Sequence, residues 1–432
     1  SAVSLSAFAF TVAGVLPPSH EVFHGKVNPA GVWCQLLGMM TFLSALFYWH
    51  EVRGLFPGRG QMVFLDKTCV HQTDMELKRQ GIERLPAFLS YSWSMVVLYS
   101  ETYLQKLWTV YELATFLLLF PGGLLQVQPV LFPKFVLAGV LLICLSRLIF
   151  AVYYLPSIVA KIEQVEWSVD PALTLNFVAF LPPIMGLAIA CRWWAREFDN
   201  IHKCVETFTI KKASCLDARD RQIVERNVAE LARHVGLVAP GAGSDEALAS
   251  FDELVQREVP YLLRASLGRV GIPFRHAVMM FAVYFPYTLD MIAGYVLAGQ
   301  HEARMVLGSV LWCVSMCFGI GPLCVALCFL LTRASLCLTS AGGKLFGVGC
   351  VALTTNVAYG ELRLRVSNTL YSRGMKPSGN LALFLLFDAF LVLVAFVVFR
   401  RPRLAAPKRR PETDSNDSHD DDDDSSSVSG ER

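Results

Sequence analysis

Charged residues are scarce in this chain of 432 residues: Asp, Glu, Lys and Arg make up 17% of it, and hydrophobic residues 54%. A typical soluble domain has about 25% charged residues. The hydrophobic residues gather in runs of about 17–25 residues, the length that crosses about 30 Å of hydrocarbon. This distribution excludes an ordinary soluble enzyme with one large core. It predicts a multi-pass α-helical membrane protein.

Paired cysteines and common catalytic motifs are also missing. The twelve cysteines include no C-x-x-C pair, and the chain has no P-loop, G-x-S-x-G, H-E-x-x-H or G-x-G-x-x-G sequence. A disulfide scaffold or a zinc knuckle is therefore not supported. Cys313, Cys317, Cys324 and Cys328 would share one face of a helix. A seam between helices explains this spacing better than a stripe of metal ligands.

The net charge of only +2 argues against a nucleic-acid partner, although it combines two opposed segments. Residues 400–410 are basic and residues 412–424 acidic, and the composition of residues 400–432 predicts a disordered tail. Ser418 precedes the run of aspartates and is a candidate phosphorylation site for an acid-directed kinase. The alternative is a plain solubilising tail.

Seven or eight transmembrane helices are expected. The basic connections 51–134 and 192–276 are predicted to be cytoplasmic, the short link 156–171 external, and the tail cytoplasmic. Because the chain opens at Ser1 within an apolar run, we expect a fragment that starts in or just before a membrane helix. The sequence does not indicate which membrane holds the protein. The candidate spans are residues 1–16, 32–49, 135–155, 172–191, 277–298, 306–331, 336–358 and 381–399.

The long connection 192–276 has apolar residues at helical spacing over 219–235 and 251–267, which predicts two amphipathic helices. Such a hairpin would lie on the bilayer or on a neighbouring segment. The predicted organisation is 1–49 (two helices), 61–132 (a small α/β module), 135–191 (a transmembrane hairpin), 192–276 (a helical cytoplasmic loop), 277–399 (a C-terminal bundle) and 400–432 (the tail).

Residues 61–132 have the pattern of a partial α/β module. Strands are predicted over 62–65, 95–99 and 125–131, with helices over 76–90 and 101–120 between them. The second strand is apolar throughout, as strands buried on both faces are. Strand–helix–strand alternation predicts parallel crossovers in a doubly wound, flavodoxin-like sheet.

Several residues of this module resemble the TIR (Toll/interleukin-1 receptor) domain, and the string 66–72 is similar to membrane-embedded TIR-like proteins of unicellular algae. In that family a strand ends in an acidic residue, and a later strand ends in serine. A tyrosine and a Trp-x-x-x-Glu-Leu helix then follow. The corresponding residues here are Asp66, Ser100, Tyr103, Trp108, Glu112 and Leu113.

The resemblance implies either assembly through contact with other TIR-like domains, including self-association, or hydrolysis of NAD at its glycosidic bond. NAD would be a substrate, and no bound cofactor is indicated. In enzymatic members Glu112 would contact the ribose and Trp108 would stack on the nicotinamide. The alternative is that Trp108 packs and Glu112 lies on a solvated face. The family's first strand and its following loop are absent, and Thr109 replaces the cysteine common in the motif.

Three ionisable residues, Arg147, Asp290 and Asp388, fall inside predicted spans. They favour a structural ion pair between helices over an ion or proton pathway. The sequence thus leaves three functions open. The first is signalling or sensing through protein contact, the second is NAD cleavage through Glu112, and the third is transport through these three residues.

Overall fold

The computed structural model describes most of the chain, and everything below refers to this part. The described residues are 2–23, 26–55, 63–65, 69, 71, 73–74, 76–77, 80–81, 84–100, 102–120, 124–153, 171–215, 218–299, 303–371 and 377–400. Ser418 and the rest of the predicted tail lie outside them, as does the external link up to residue 170.

Helices dominate the fold, and the strands form two separate pairs. Helices are α1 (Ala2–Val12), α2 (Trp33–Gly54), α3 (Leu85–Ser90), α4 (Leu107–Leu119), α5 (Phe132–Tyr153), α6 (Pro171–Glu206), α7 (Ala218–His234), α8 (Ser244–Leu267), α9 (Phe274–Phe281), α10 (Tyr284–Leu297), α11 (Ala303–Val314), α12 (Gly321–Ala334), α13 (Ala341–Tyr371) and α14 (Pro377–Val398). Strands are β1 (Ser19–Phe23), β2 (Lys26–Ala30), β3 (Ser94–Tyr99) and β4 (Leu124–Pro129).

Three helical stretches are long and apolar enough to cross a membrane: Phe132–Ile149, Phe274–Leu297 and Met305–Cys337. The last contains a π-helix, Ser315–Ile320, between α11 and α12. These stretches pack with α6, α13 and α14 into one bundle, and α1 and α2 join it through α10. We call this set of helices the apolar bundle.

The ends of several bundle helices meet at one end of the bundle. Phe132, at the start of α5, contacts the ring of His276 in α9 edge-on, with 5.0 Å between centroids. Phe274, at the start of α9, contacts Phe399, just after α14, at 5.5 Å. The starts of α5 and α9 and the end of α14 therefore lie together.

At the same end lies a unit made from two distant segments, residues 84–130 and 207–272, which we call the α/β–helical unit. β3 and β4 pair in parallel, and α4 connects them. Helix α7 packs on α4 and α8 packs on β4. The two predicted amphipathic helices therefore exist, as α7 and α8, and they lie on the segment that contains β3 and β4. β3 is also one of the predicted strands.

Backbone hydrogen bonds join the two segments. The Leu107 N–H donates to the Ser214 carbonyl at 3.0 Å, and the Ser214 hydroxyl donates to the Gln105 carbonyl at 2.8 Å. Helix α4 is apolar but has only 13 residues. Helices of this length are usually buried in a core and do not span a bilayer.

The module differs from its prediction in three places. Residues 63–65 form no strand, and Phe64 stacks on Phe88 of α3 at 5.0 Å. The helix expected over 76–90 has its regular part at α3, whose first turn contains Pro86, as the fixed φ of proline favours. In the described residues the sheet has two strands, β3 and β4, and is not doubly wound.

Candidate functional site

Trp108 and Glu112 lie one turn apart on α4, as the motif requires, and both are half-buried. The Trp108 ring meets the ring of Tyr111 edge-on, with 6.1 Å between centroids, and packs against the core. The Tyr111 hydroxyl accepts a hydrogen bond from the Asn227 side chain of α7 at 3.3 Å. Trp108 thus belongs to the packing that holds α4 on α7.

Glu112 acts on Tyr103, the tyrosine of the TIR-like motif, and Tyr103 lies beside Tyr99, which the sequence did not single out. Tyr103 and Tyr99 lie with ring centroids 5.8 Å apart, and neither buried hydroxyl has a hydrogen-bond partner among the described residues. Burial, and next the charge of Glu112, raise the pKa of Tyr103. Burial, then Cys204 and Glu197 of α6, raise the pKa of Tyr99. The two tyrosines mark where the sheet rests on α6.

Arg147 is buried at 1% exposure inside the apolar bundle, against aromatic rings. Its guanidinium carbon lies 3.6 Å from the centre of the Tyr287 ring and 5.3 Å from that of Tyr284. A desolvated cation over an aromatic face is stabilised by the ring quadrupole. The Tyr284 hydroxyl is in turn 2.6 Å from that of Tyr359.

Asp290 caps a helix that is remote in sequence. Its carboxylate accepts hydrogen bonds from the backbone N–H groups of Cys34, at 3.0 Å, and Gln35, at 2.7 Å, at the start of α2. The Gly31 N–H donates to the Asp290 carbonyl at 3.2 Å. Helix N-termini carry unsatisfied donors and favour an acidic partner. Asp290 therefore has a structural partner, and the charge of Arg147 also acts on it.

Asp388 has a separate partner. It accepts a hydrogen bond from the Ser315 hydroxyl, at the first residue of the π-helix. The three ionisable residues thus have separate surroundings: Arg147 lies over tyrosine rings, Asp290 caps α2, and Asp388 binds Ser315. A cavity of about 40 Å³ lies beside Tyr284 and Tyr359, with neither aspartate among its lining residues.

The cysteine face is buried in the bundle. The sulfurs of Cys313 and Cys317 are 3.9 Å apart, and the Cys317 thiol donates to the Phe281 carbonyl of α9 at 3.3 Å. These contacts agree with a seam between helices. In the described part of the chain, no three His, Cys, Asp or Glu side chains are grouped as a metal site.

One face of β3 is exposed, whereas the sequence predicted a strand buried on both faces. Val97 and Tyr99 are buried, but Val96 and Leu98 are 55% and 65% exposed. Just before the strand, Tyr91 and Trp93 are 88% and 96% exposed. The sequence does not distinguish the exposed face from the buried one, because both faces of the strand carry apolar side chains. We call Tyr91, Trp93, Val96 and Leu98 the β3 patch.

The β3 patch is the feature of the unit that packing does not explain. Scattered exposed apolar residues are normal on protein surfaces, but adjacent ones that include two aromatics mark interaction sites. Comparison with known proteins adds no family: no protein-family model, no curated protein and no solved structure matches this chain.

Proposed function

We propose that this chain is an integral membrane protein with seven or eight spans that presents a TIR-like cytoplasmic unit and acts in signalling or sensing through protein contact. The observation that carries the proposal is the β3 patch. It offers two aromatic and two aliphatic side chains to solvent, and the two aromatics, Tyr91 and Trp93, are 88% and 96% exposed. Exposed Trp and Tyr are the side chains that most often dominate binding energy at protein interfaces.

The placement of the unit supports the proposed topology. It lies at the end of the bundle where α5 and α9 begin and α14 ends. Here the chain joins the unit to α5, α6 and α9, and Arg400 follows α14. These residues belong to the basic segments predicted to be cytoplasmic, as the bias of Lys and Arg toward the cytoplasm favours. Cysteines introduced at Arg79 and Arg226 should therefore resist a membrane-impermeant label, whereas one at Glu163 should react. Labelling at Arg226 from outside would contradict this topology.

Contact is favoured over NAD cleavage because the two motif residues already have protein neighbours. Trp108 is held edge-on by Tyr111, and the charge of Glu112 acts on Tyr103. An NAD site would need an open nicotinamide face at Trp108 and a ribose beside Glu112. Contact is favoured over transport because Asp290 and Asp388 accept hydrogen bonds that stabilise helices.

The test is a photo-crosslinking amino acid at Trp93 in the full chain, in its native membrane. The matched control is the same amino acid at Tyr261, an exposed aromatic of α8. We expect discrete protein adducts from position 93 that Leu98→Lys suppresses, and none from position 261. No adduct at position 93, or equal adducts at both positions, would refute contact through the patch.

A further inference from the structure

The outer edge of β3 is open as far as the described residues go. Among the described residues β3 pairs with β4 alone, and the Tyr99 carbonyl accepts from the Val130 N–H. Backbone groups alternate along a strand, so residues 95, 97 and 99 face β4. The N–H and C=O groups of Val96 and Leu98 therefore point away from the sheet. β4 is different, because at its outer edge the Val127 N–H donates to the Ser266 hydroxyl of α8 at 3.3 Å.

The strand Ser94–Tyr99 itself has none of the sequence features that usually protect an open edge. Natural edges carry lysine, proline or a bulge, which block pairing with another chain. Ser94–Tyr99 contains no charged residue and no proline, and it pairs with β4 in continuous register. The strand that exposes these backbone groups also exposes Val96 and Leu98, so pairing would bury apolar surface as well.

We infer that a second copy of this chain pairs with the β3 edge, in an antiparallel arrangement with a two-fold axis at Val96. Val96 would lie opposite Val96 of the partner, and Leu98 opposite the partner's Ser94. The same surface would then serve both copies, as a two-fold interface requires. The inference rests on the proposed function, since it names the partner of the β3 patch.

Three properties favour a second copy over another occupant. The edge is uncharged, so two copies meet without the like-charge repulsion that opposes most self-pairing. Copies in one bilayer share an orientation, which holds their edges at the same height. The two aromatics and two aliphatics would bury on the order of 600 Å² per copy, so the total of about 1,200 Å² reaches the lower bound for a specific interface.

The experiment counts subunits of the full chain in lipid nanodiscs and in bilayers at low surface density. Wild type should be a dimer of 47.9-kDa chains. Val96→Lys places two ammonium groups across the two-fold axis and should weaken dimerisation at least about tenfold. The matched control is Leu124→Lys, an exposed apolar position of β4 in the same sheet, which should leave the dimer intact.

A measurement on wild type covers the case in which the variant fails to fold. The amides of Val96 and Leu98 should be protected from hydrogen exchange at high surface density and exposed at low density, whereas those facing β4 stay protected at both. A monomeric wild type, or a dimer that a folded Val96→Lys leaves unchanged, would overturn the inference.

The outcomes also separate this inference from the proposed function. If position 93 crosslinks to other proteins while the chain stays monomeric, the edge accepts an extended peptide of another protein. The second copy would then be wrong and the proposed function would stand. If position 93 gives no adduct, both fail.

Discussion

The contact between Asp290 and the start of α2 allows a sharp test of whether Asp290 has a structural role. Asp290→Ala removes the acceptor of two buried N–H groups, those of Cys34 and Gln35. An unsatisfied buried donor costs about 1–3 kcal/mol. We therefore expect Asp290→Ala to lower the free energy of unfolding by about 2–4 kcal/mol. Asp290→Asn keeps one acceptor oxygen and should cost about 1 kcal/mol.

A second substitution, Gly31→Ala, tests the same contact from the Gly31 side. A Cβ on Gly31 would lie 2.6 Å from Oδ1 and 2.8 Å from the Cα of Asp290. Overpacking of this kind costs about 1–3 kcal/mol. Gly54→Ala in α2 is the matched control, because nothing lies within 4 Å of its Cβ position. It should be neutral, or stabilising by up to about 1 kcal/mol.

Thermal unfolding in detergent, followed by tryptophan fluorescence, measures these changes. Asp290→Ala and Gly31→Ala should each lower the Tm by several degrees, and their effects should not add, because they act on one contact. Wild-type stability for Asp290→Ala would refute the capping role. A wild-type ion flux in vesicles that Asp290→Asn abolishes would revive the transport alternative.

Three further predictions concern the α/β–helical unit and the tail. Burial raises the pKa of Asp252, whose carboxylate accepts a hydrogen bond from the Ile210 N–H at 2.9 Å. Because a raised folded-state pKa means that wild type loses stability as pH rises through it, the stability of Asp252→Asn relative to wild type should increase between about pH 4 and neutrality. Thermal scans in which this difference shrinks with rising pH would contradict the prediction. Tyr111→Phe removes the hydrogen bond from Asn227 and should lower the free energy of unfolding by about 0.5–1.5 kcal/mol. A loss of this size in denaturant unfolding that does not increase when Asn227→Ala is added would confirm that the two side chains interact. Deletion of residues 411–432, which include Ser418, should leave insertion and folding unchanged by expression and gel filtration, and a large loss of folded protein would mean that the tail packs.

Local patterns predicted the elements whose apolar residues follow one period. The stripes that predicted α7 and α8 are the ones buried in the structure, with Val224 and Val228 in α7 and Val255 and Val259 in α8. β3 was predicted by its composition, although its exposed face was not. The prediction of a strand at residues 62–65 was wrong for 63–65, because an apolar run becomes a strand only beside a partner, and Phe64 instead packs on Phe88.

Long-range contacts could not be predicted. The bonds of Ser214 to Gln105 and of Asn227 to Tyr111 join residues more than 100 positions apart, and neither pair has a distinctive local pattern. The same holds for Asp290, whose partners lie about 255 positions away at the start of α2. An isolated acidic residue in an apolar run indicates that it has a partner, because burying an unpaired charge is costly, but the sequence does not say which residue that partner is.

Protein contact and NAD cleavage are distinguished by measuring NAD consumption. The assay uses the full chain at high density in nanodiscs and compares wild type, Glu112→Gln and empty nanodiscs. If the chain acts by contact, we expect NAD to disappear no faster with wild type than with empty nanodiscs. Turnover by wild type that Glu112→Gln lowers by about 10²–10³, the usual effect of losing one preorganised electrostatic contact, would contradict it and establish Glu112 as catalytic.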